Sequence, residues 1–123
     1  MRIRVIDTIG ELADDMAEIP VIAARDMADT VRKNAKGGER YARSFAKQSA
    51  GAHGKHYPRS ITSEAISPFA WEFGPDSSMP QGGMSFERGS RNQPPHLDLS
   101  RAADLVAPRF ARDVAALPDR WFW

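Results

Sequence analysis

The chain has 123 residues, 41% hydrophobic and 27% charged, which suits one domain and leaves little room for two independently cored ones. It has no apolar run near the roughly 20 residues that cross a bilayer and no cysteine, which excludes a membrane span, disulfides, thiolate metal sites and a cysteine nucleophile. Residues 1–7 carry no signal-peptide stretch and the formal net charge is only +1, so composition predicts a cytoplasmic or particle-bound protein without the positive excess of a dedicated nucleic-acid binder.

Residues 2–6 alternate as a short edge strand, with Ile3 and Val5 on one side. Asp7 or Thr8 then caps a helix to about residue 19, in which Ile9, Leu12, Met16 and Ile19 form one apolar stripe. Residues 7–18 hold five carboxylates and no base, which suits the positive end of a helix dipole. Pro20 is expected to start a second, main helix, with Ala24, Met27, Ala28, Val31 and Ala35 as a narrow packing seam. Gly37 and Gly38 each cost roughly 1 kcal/mol relative to alanine, yet Tyr41, Ala42, Phe45 and Ala46 resume the helical spacing. One kinked helix or two closely joined helices are predicted there.

Residues 50–58, with two glycines and a proline, read as a loop. Residues 59–66 and 69–73 are β-capable runs that predict an antiparallel pair, with Phe69, Trp71 and Phe73 sharing one face as sheet core. Residues 77–83 form a long surface loop, and residues 84–87 are expected to be a third short strand. Pro94 and Pro95 stiffen the approach to a final helix, capped by Asp98 or Ser100, along which Leu99, Ala102, Ala103, Val106, Phe110, Val114 and Leu117 recur. Pro108 should bend or restart this helix and Pro118 should end it, leaving an aromatic extension over residues 118–123 on a single domain spanning 1–123.

Charge is unevenly placed. Residues 25–59 hold nine lysines and arginines against three carboxylates, so the rest of the chain holds eight against thirteen. A basic and an acidic face suit head-to-tail association between copies. Chemistry is sparse by comparison. His53, His56 and His96 are the only nitrogen donors for a metal, and they make no zinc motif. Ser85 and Ser90 lack a nucleophile-turn context, and Gly82-Gly83 lacks the lysine and helix of a phosphate loop. Neither catalysis nor a cofactor is predicted. Trp121, Phe122 and Trp123 lie past the expected end of the helix and point to docking on a partner.

Four blocks occur in a distinctive order: Val31-Arg32-Lys33-Asn34-Ala35, Tyr57-Pro58-Arg59-Ser60-Ile61-Thr62, Phe73-Gly74-Pro75-Asp76, and Phe86-Glu87-Arg88-Gly89-Ser90 running into Pro94-Pro95-His96-Leu97-Asp98-Leu99 and Ala102-Ala103-Asp104. The chain thereby resembles the tail-component family of lambdoid and actinobacterial long-tailed phages, variously called tail-completion, neck or head-tail connector proteins. It departs from that layout at Gly37-Gly38 and in the length of the segment 77–83. The resemblance implies an α+β domain, with a long N-terminal helix and a C-terminal helix on a small antiparallel sheet with long loops. It also implies a structural virion protein, not an enzyme, that forms a ring at the head-tail junction and is in the host cytoplasm during assembly. Its partners would be copies of itself, with a hexamer preferred over a dodecamer, a head-closure or connector protein and a tail tube or terminator protein. Genomic DNA would pass without sequence-specific contact.

On this reading Asp14, Asp15 and Glu18 of one copy face Arg32, Lys36, Arg40 and Arg43 of the next, and Trp121, Phe122 and Trp123 dock on an adjacent subunit. Tyr57, Pro58, Arg59, Met79 and Gln81 are assigned to contact between rings. Two competing readings are a small DNA-binding module using the basic helix over 32–47 and a small toxin or hydrolase using His53, His56 and Glu72 or Glu87.

Overall fold

The structure, a computed structural model, describes the backbone of residues 9–122 and the side chains of residues 16–122. The strand expected over 2–6, the caps Asp7 and Thr8, the side chains of Asp14 and Asp15, and Trp123 lie outside the described residues. The fold is α+β. Its elements are α1 (Ile9–Ala50), α2 (Tyr57–Ser60), β1 (Ile61–Ser67), β2 (Ala70–Pro75), α3 (Ser85–Arg88) and α4 (Asp98–Phe122).

α1 is one helix of 42 residues, about 63 Å at 1.5 Å per residue. Pro20 lies inside it rather than at a new start. The proline is exposed, so the carbonyl it deprives of a donor faces water. Pro108 and Pro118 are likewise exposed within α4, which neither restarts nor ends at them. α4 continues past Pro118 because both flanking turns are anchored: Leu117 is buried and the Trp121 indole N–H donates to Asp26 Oδ2 at 2.9 Å.

α1 and α4 lie antiparallel in a single register. Ser49 bonds Asp98, Asn34 bonds Asp113 at 3.1 Å, and Asp26 bonds Trp121. The intervals between these three contacts, fifteen and eight residues, are equal on the two helices. The seam on α1 falls later than the expected one. Ala35, Ala42, Ala46 and Ala50 are buried, Met27, Ala28 and Val31 are half-buried, and Ala24 is exposed. Alanines let the α4 backbone and the hairpin approach closely, and Tyr57, Ile61, Phe86 and Ala102 fill the remaining core.

β1 and β2 form a two-stranded antiparallel sheet pairing Ile61 with Pro75, Ser63 with Phe73 and Ala65 with Trp71. The strands start later than predicted: Arg59 belongs to α2, and Phe69 sits in the turn, 55% exposed rather than in the core. Residues 84–87 are no third strand. They lead into the helical turn α3, where Phe86 and Glu87 are buried and Phe86 stacks on Tyr57 with ring centroids 4.4 Å apart.

The glycine pair marks where the hairpin crosses α1. A Cβ on Gly38 would lie 2.4 Å from the Phe73 ring, whereas one on Gly37 would meet nothing nearer than 4.0 Å. Gly37→Ala is therefore expected to stabilise the chain by about 0.5–1 kcal/mol through helix propensity alone. Gly38→Ala should lose about 1 kcal/mol, since overpacking of about 1–3 kcal/mol exceeds the same propensity gain. Urea unfolding midpoints that move in opposite directions check this.

Candidate functional site

A polar cluster is buried where α1, α3 and the start of α4 meet. Asp98, fully buried, has carboxylate oxygens 2.9 and 2.8 Å from the Ser49 hydroxyl and accepts from the Arg101 guanidinium at 2.9 Å. His96 Nδ1 lies 3.1 Å from the same hydroxyl. A hydroxyl has one proton, and here it goes to Asp98, so His96 Nδ1–H donates to Ser49 Oγ. His96 also packs edge-on against Phe86, with centroids 5.5 Å apart.

Glu87, 5% exposed, supplies the cap of α4 that Asp98 or Ser100 was expected to supply. Its carboxylate accepts from the Leu99 N–H at 2.8 Å, the Ser100 N–H at 3.0 Å and the Ser100 hydroxyl at 2.7 Å. An anion at a helix N-terminus meets unpaired N–H groups and the positive end of the dipole. The α4 N-terminus is thus filled by the chain's own carboxylate. His96 N–H donates to the Phe86 carbonyl at 2.7 Å, tying the two segments together along their backbones. Among the described residues the buried Tyr57 hydroxyl has no hydrogen-bond partner, and its pKa is pushed up to about 12 by burial and by the negative charges of Asp98 and Glu87.

This geometry is a structural bracket. Ser49, His96 and Asp98 are the residue types of a hydrolytic triad, but Ser49 meets both Asp98 and His96 Nδ1, so no histidine nitrogen is held between serine and carboxylate to relay a proton. His53 and His56 stand exposed in another loop, where their backbone groups are held by Gln81. Gln81 Nε2 donates to the His53 carbonyl at 2.6 Å, and His56 N–H donates to Gln81 Oε1 at 2.8 Å. Among the described residues no three His, Asp or Glu groups are arranged to hold a metal ion. Glu72 faces Glu64 across the hairpin, where that carboxylate's hydrogen bond and charge raise the Glu64 pKa.

The residues assigned to assembly are placed differently. Tyr57 and Pro58 are buried and unavailable for contact between rings, because Tyr57 fills the core against Phe86. Arg59 is exposed, Met79 half-buried, and Gln81 is occupied by the 53–56 loop. Arg32 and Lys33 pair with Asp29, Lys36 lies 3.7 Å from Glu39 and 5.6 Å from the Trp71 ring centre, and Arg43 pairs with Glu39 and donates to the Ile61 carbonyl at 2.7 Å. Arg40 is exposed, as are Glu18 and Phe122. Trp121 turns back onto its own α1 through Asp26.

Compared with known proteins, the chain matches no family model, no curated protein and no solved structure.

The bracket was partly legible. The blocks holding Phe86-Glu87 and His96-Leu97-Asp98 stood out in the sequence, while Ser49, some fifty residues away from Asp98, carried no signal that it would meet them. Ser49→Ala is expected to cost about 1–3 kcal/mol and Glu87→Ala about 2–4 kcal/mol in urea unfolding, since the first takes a hydrogen bond from the buried Asp98 carboxylate and the second removes the cap of α4. Tyr57→Phe should be neutral or slightly stabilising. Because the Tyr57 phenol titrates above its ordinary 10 in the folded chain, stability should fall as pH rises from 10 towards 12. That alkaline loss should shrink in Tyr57→Phe.

Proposed function

We propose that the chain is a structural subunit of the head-tail junction of a long-tailed phage. It forms a ring that completes the tail tube or joins it to the head and leaves a passage for DNA. The observation that carries this reading is the convergence of the blocks behind the family resemblance. Tyr57 of the second block stacks on Phe86 of the fourth, His96 packs edge-on against the same ring, and Glu87 and Asp98 are buried beside them. These contacts, with Ser49, hold α3 and the start of α4 on α1. The polar groups best suited to chemistry are engaged in that bracket, which favours a scaffold over an enzyme.

The distribution of surface supports the same reading. Met16, Val21, Ile66, Phe69 and Phe122 are between 55% and 72% exposed, all on α1 before Arg25, at the hairpin tip or at the end of α4. Large apolar side chains at the extremities of an elongated subunit suit contacts with neighbours. The partners in this reading are further copies, six preferred and twelve the alternative, with a head-closure or connector protein on one side and a tube or terminator protein on the other. The site is the virion, reached from the host cytoplasm. The DNA-binding reading of residues 32–47 is weakened by the pairing of Arg32, Lys33, Lys36 and Arg43 with carboxylates of the same helix, which competes with phosphate.

Light scattering of the purified protein, followed by negative-stain images of large species, tests the proposal. A closed six-fold or twelve-fold ring is expected. A chain that stays monomeric and binds duplex DNA with affinity falling steeply in salt would overturn it in favour of the DNA-binding module.

A further inference from the structure

The cations of this chain are of two kinds. Between Arg32 and Arg43 all but Arg40 are matched on their own helix, by Asp29 or by Glu39. At the end of the molecule where α1 stops, they are not matched. Residues 50–60 hold Lys55 and Arg59 and no carboxylate, and residues 81–97 hold Arg88 and Arg91 against Glu87 alone. Lys55, Arg59, Arg88 and Arg91 are all exposed. Among the described residues none of the four makes an ion pair or a side-chain hydrogen bond.

The segments that carry them touch. A Cβ on Gly54 would lie 2.8 Å from the Phe86 ring, so the loop holding Lys55 lies against α3. Tyr57 stacks on the same ring, which puts α2 with Arg59 beside α3 with Arg88. The turn holding Arg91 follows α3 directly and is closed by the backbone pair of Ser90 and Gln93. The neighbouring carboxylates are engaged: Glu87 by the α4 N-terminus, Asp98 by Ser49 and Arg101. Asp76, whose N–H donates to the Ser60 carbonyl at 2.7 Å, accepts from the Ser78 N–H and hydroxyl, and Glu64 and Glu72 line the depression beyond it. These three acids bound the basic surface on its hairpin side.

The loops here are also braced. Gln81 grips the His53 carbonyl and the His56 N–H from a φ of +60°, a left-handed conformation that a residue with a Cβ rarely adopts. The described residues with positive φ, Gly51, Gln81, Gly89 and Leu97, all lie in the segments that build this end. Backbone fixed around unpaired cations holds their spacing and lowers the ordering cost of binding.

A partner for this surface must bring a row of negative charge. Among the described residues the exposed large apolar side chains at this end are Met84 and Leu97, 39% and 49% exposed, without the aromatic centre typical of a protein interface. Three of the four cations are arginines, whose planar guanidinium matches phosphate oxygens in pairs. We propose that this end of the molecule, through Lys55, Arg59, Arg88 and Arg91, contacts the phosphate backbone of duplex DNA. The contact is to phosphates and so is independent of sequence. In a ring this end faces the DNA passage; that placement rests on the ring reading, whereas the phosphate contact does not.

The test follows binding of short fluorescent duplexes to the full chain by anisotropy across a range of salt, with light scattering of the same samples. The parent should bind duplexes of unrelated sequence alike. A Lys55→Gln, Arg88→Gln, Arg91→Gln variant should make the fall of log affinity with log salt shallower by at least about 0.9 for each cation removed. An Arg32→Gln, Lys33→Gln control, whose charges are already paired, should leave that slope unchanged. All five side chains are exposed, so unfolding midpoints should stay near that of the parent. The inference is overturned if the triple variant binds as the parent does, if the control loses binding instead, or if the parent binds no duplex. Binding of polyglutamate without binding of duplex would overturn it in favour of an acidic protein partner. A ring that binds no duplex leaves the ring reading standing, and a parent that binds through these cations but never assembles overturns the ring reading alone.

Discussion

Asp98 and Glu87 bury two carboxylates at one helix terminus, and the architecture depends on how they are satisfied. Glu87 takes the free N–H groups of α4, while Asp98 takes the Ser49 hydroxyl and the Arg101 guanidinium. Glu87 is therefore satisfied only when α3 meets α4, and Asp98, which keeps Arg101 within α4, gains the Ser49 hydroxyl only when α4 meets α1. A misplaced α4 would strip Glu87 of its N–H donors and Asp98 of the Ser49 hydroxyl, and a buried carboxylate short of hydrogen bonds is costly in a small domain. The cluster thereby sets one end of the α1–α4 register, and the bond from Trp121 to Asp26 sets the other.

Between these ends the packing is made by small residues. Ala35, Ala42, Ala46 and Ala50 present little volume, and Gly38 admits the Phe73 ring at a distance that no side chain would allow. Such a seam yields modest hydrophobic burial per residue. Fixed polar anchors then matter more to the choice of a single arrangement than they would in a core of large aliphatic side chains. Tyr57, stacked on Phe86 and fully buried, is the largest residue in that core, and it joins the hairpin to the bracket.

The surface follows from the same economy of contacts. The strongly basic stretch of α1 is largely neutralised by Asp29 and Glu39 on the same helix, so its field is weaker than a count of residues suggests. Large apolar side chains are left exposed on the N-terminal part of α1, at the hairpin tip, just before and along α4, and at Met84.

Local patterning determined much of the fold: the apolar periodicity of both long helices, the antiparallel hairpin, the loops about the glycines and prolines, and the α+β class. It misjudged Pro20 as a new start and Pro118 as an end; each is carried within a helix with its ring exposed, and Leu117 and Trp121 hold the end of α4. It misread residues 84–87 as a strand because Phe86 and Glu87 serve partners distant in sequence, an aromatic ring and a helix terminus. Tyr57 and Gln81 were read as surface because a loop context signals exposure, and only the folded chain shows one filling the core and the other clasping a second loop. The sequence by itself decided which segments could be helix or strand, since that depends on spacing and local sterics. Only the tertiary structure decided which charges are spent inside the molecule and which side chains stay exposed among the described residues, because that depends on groups such as Ser49 and Asp98 that meet only when the chain is folded.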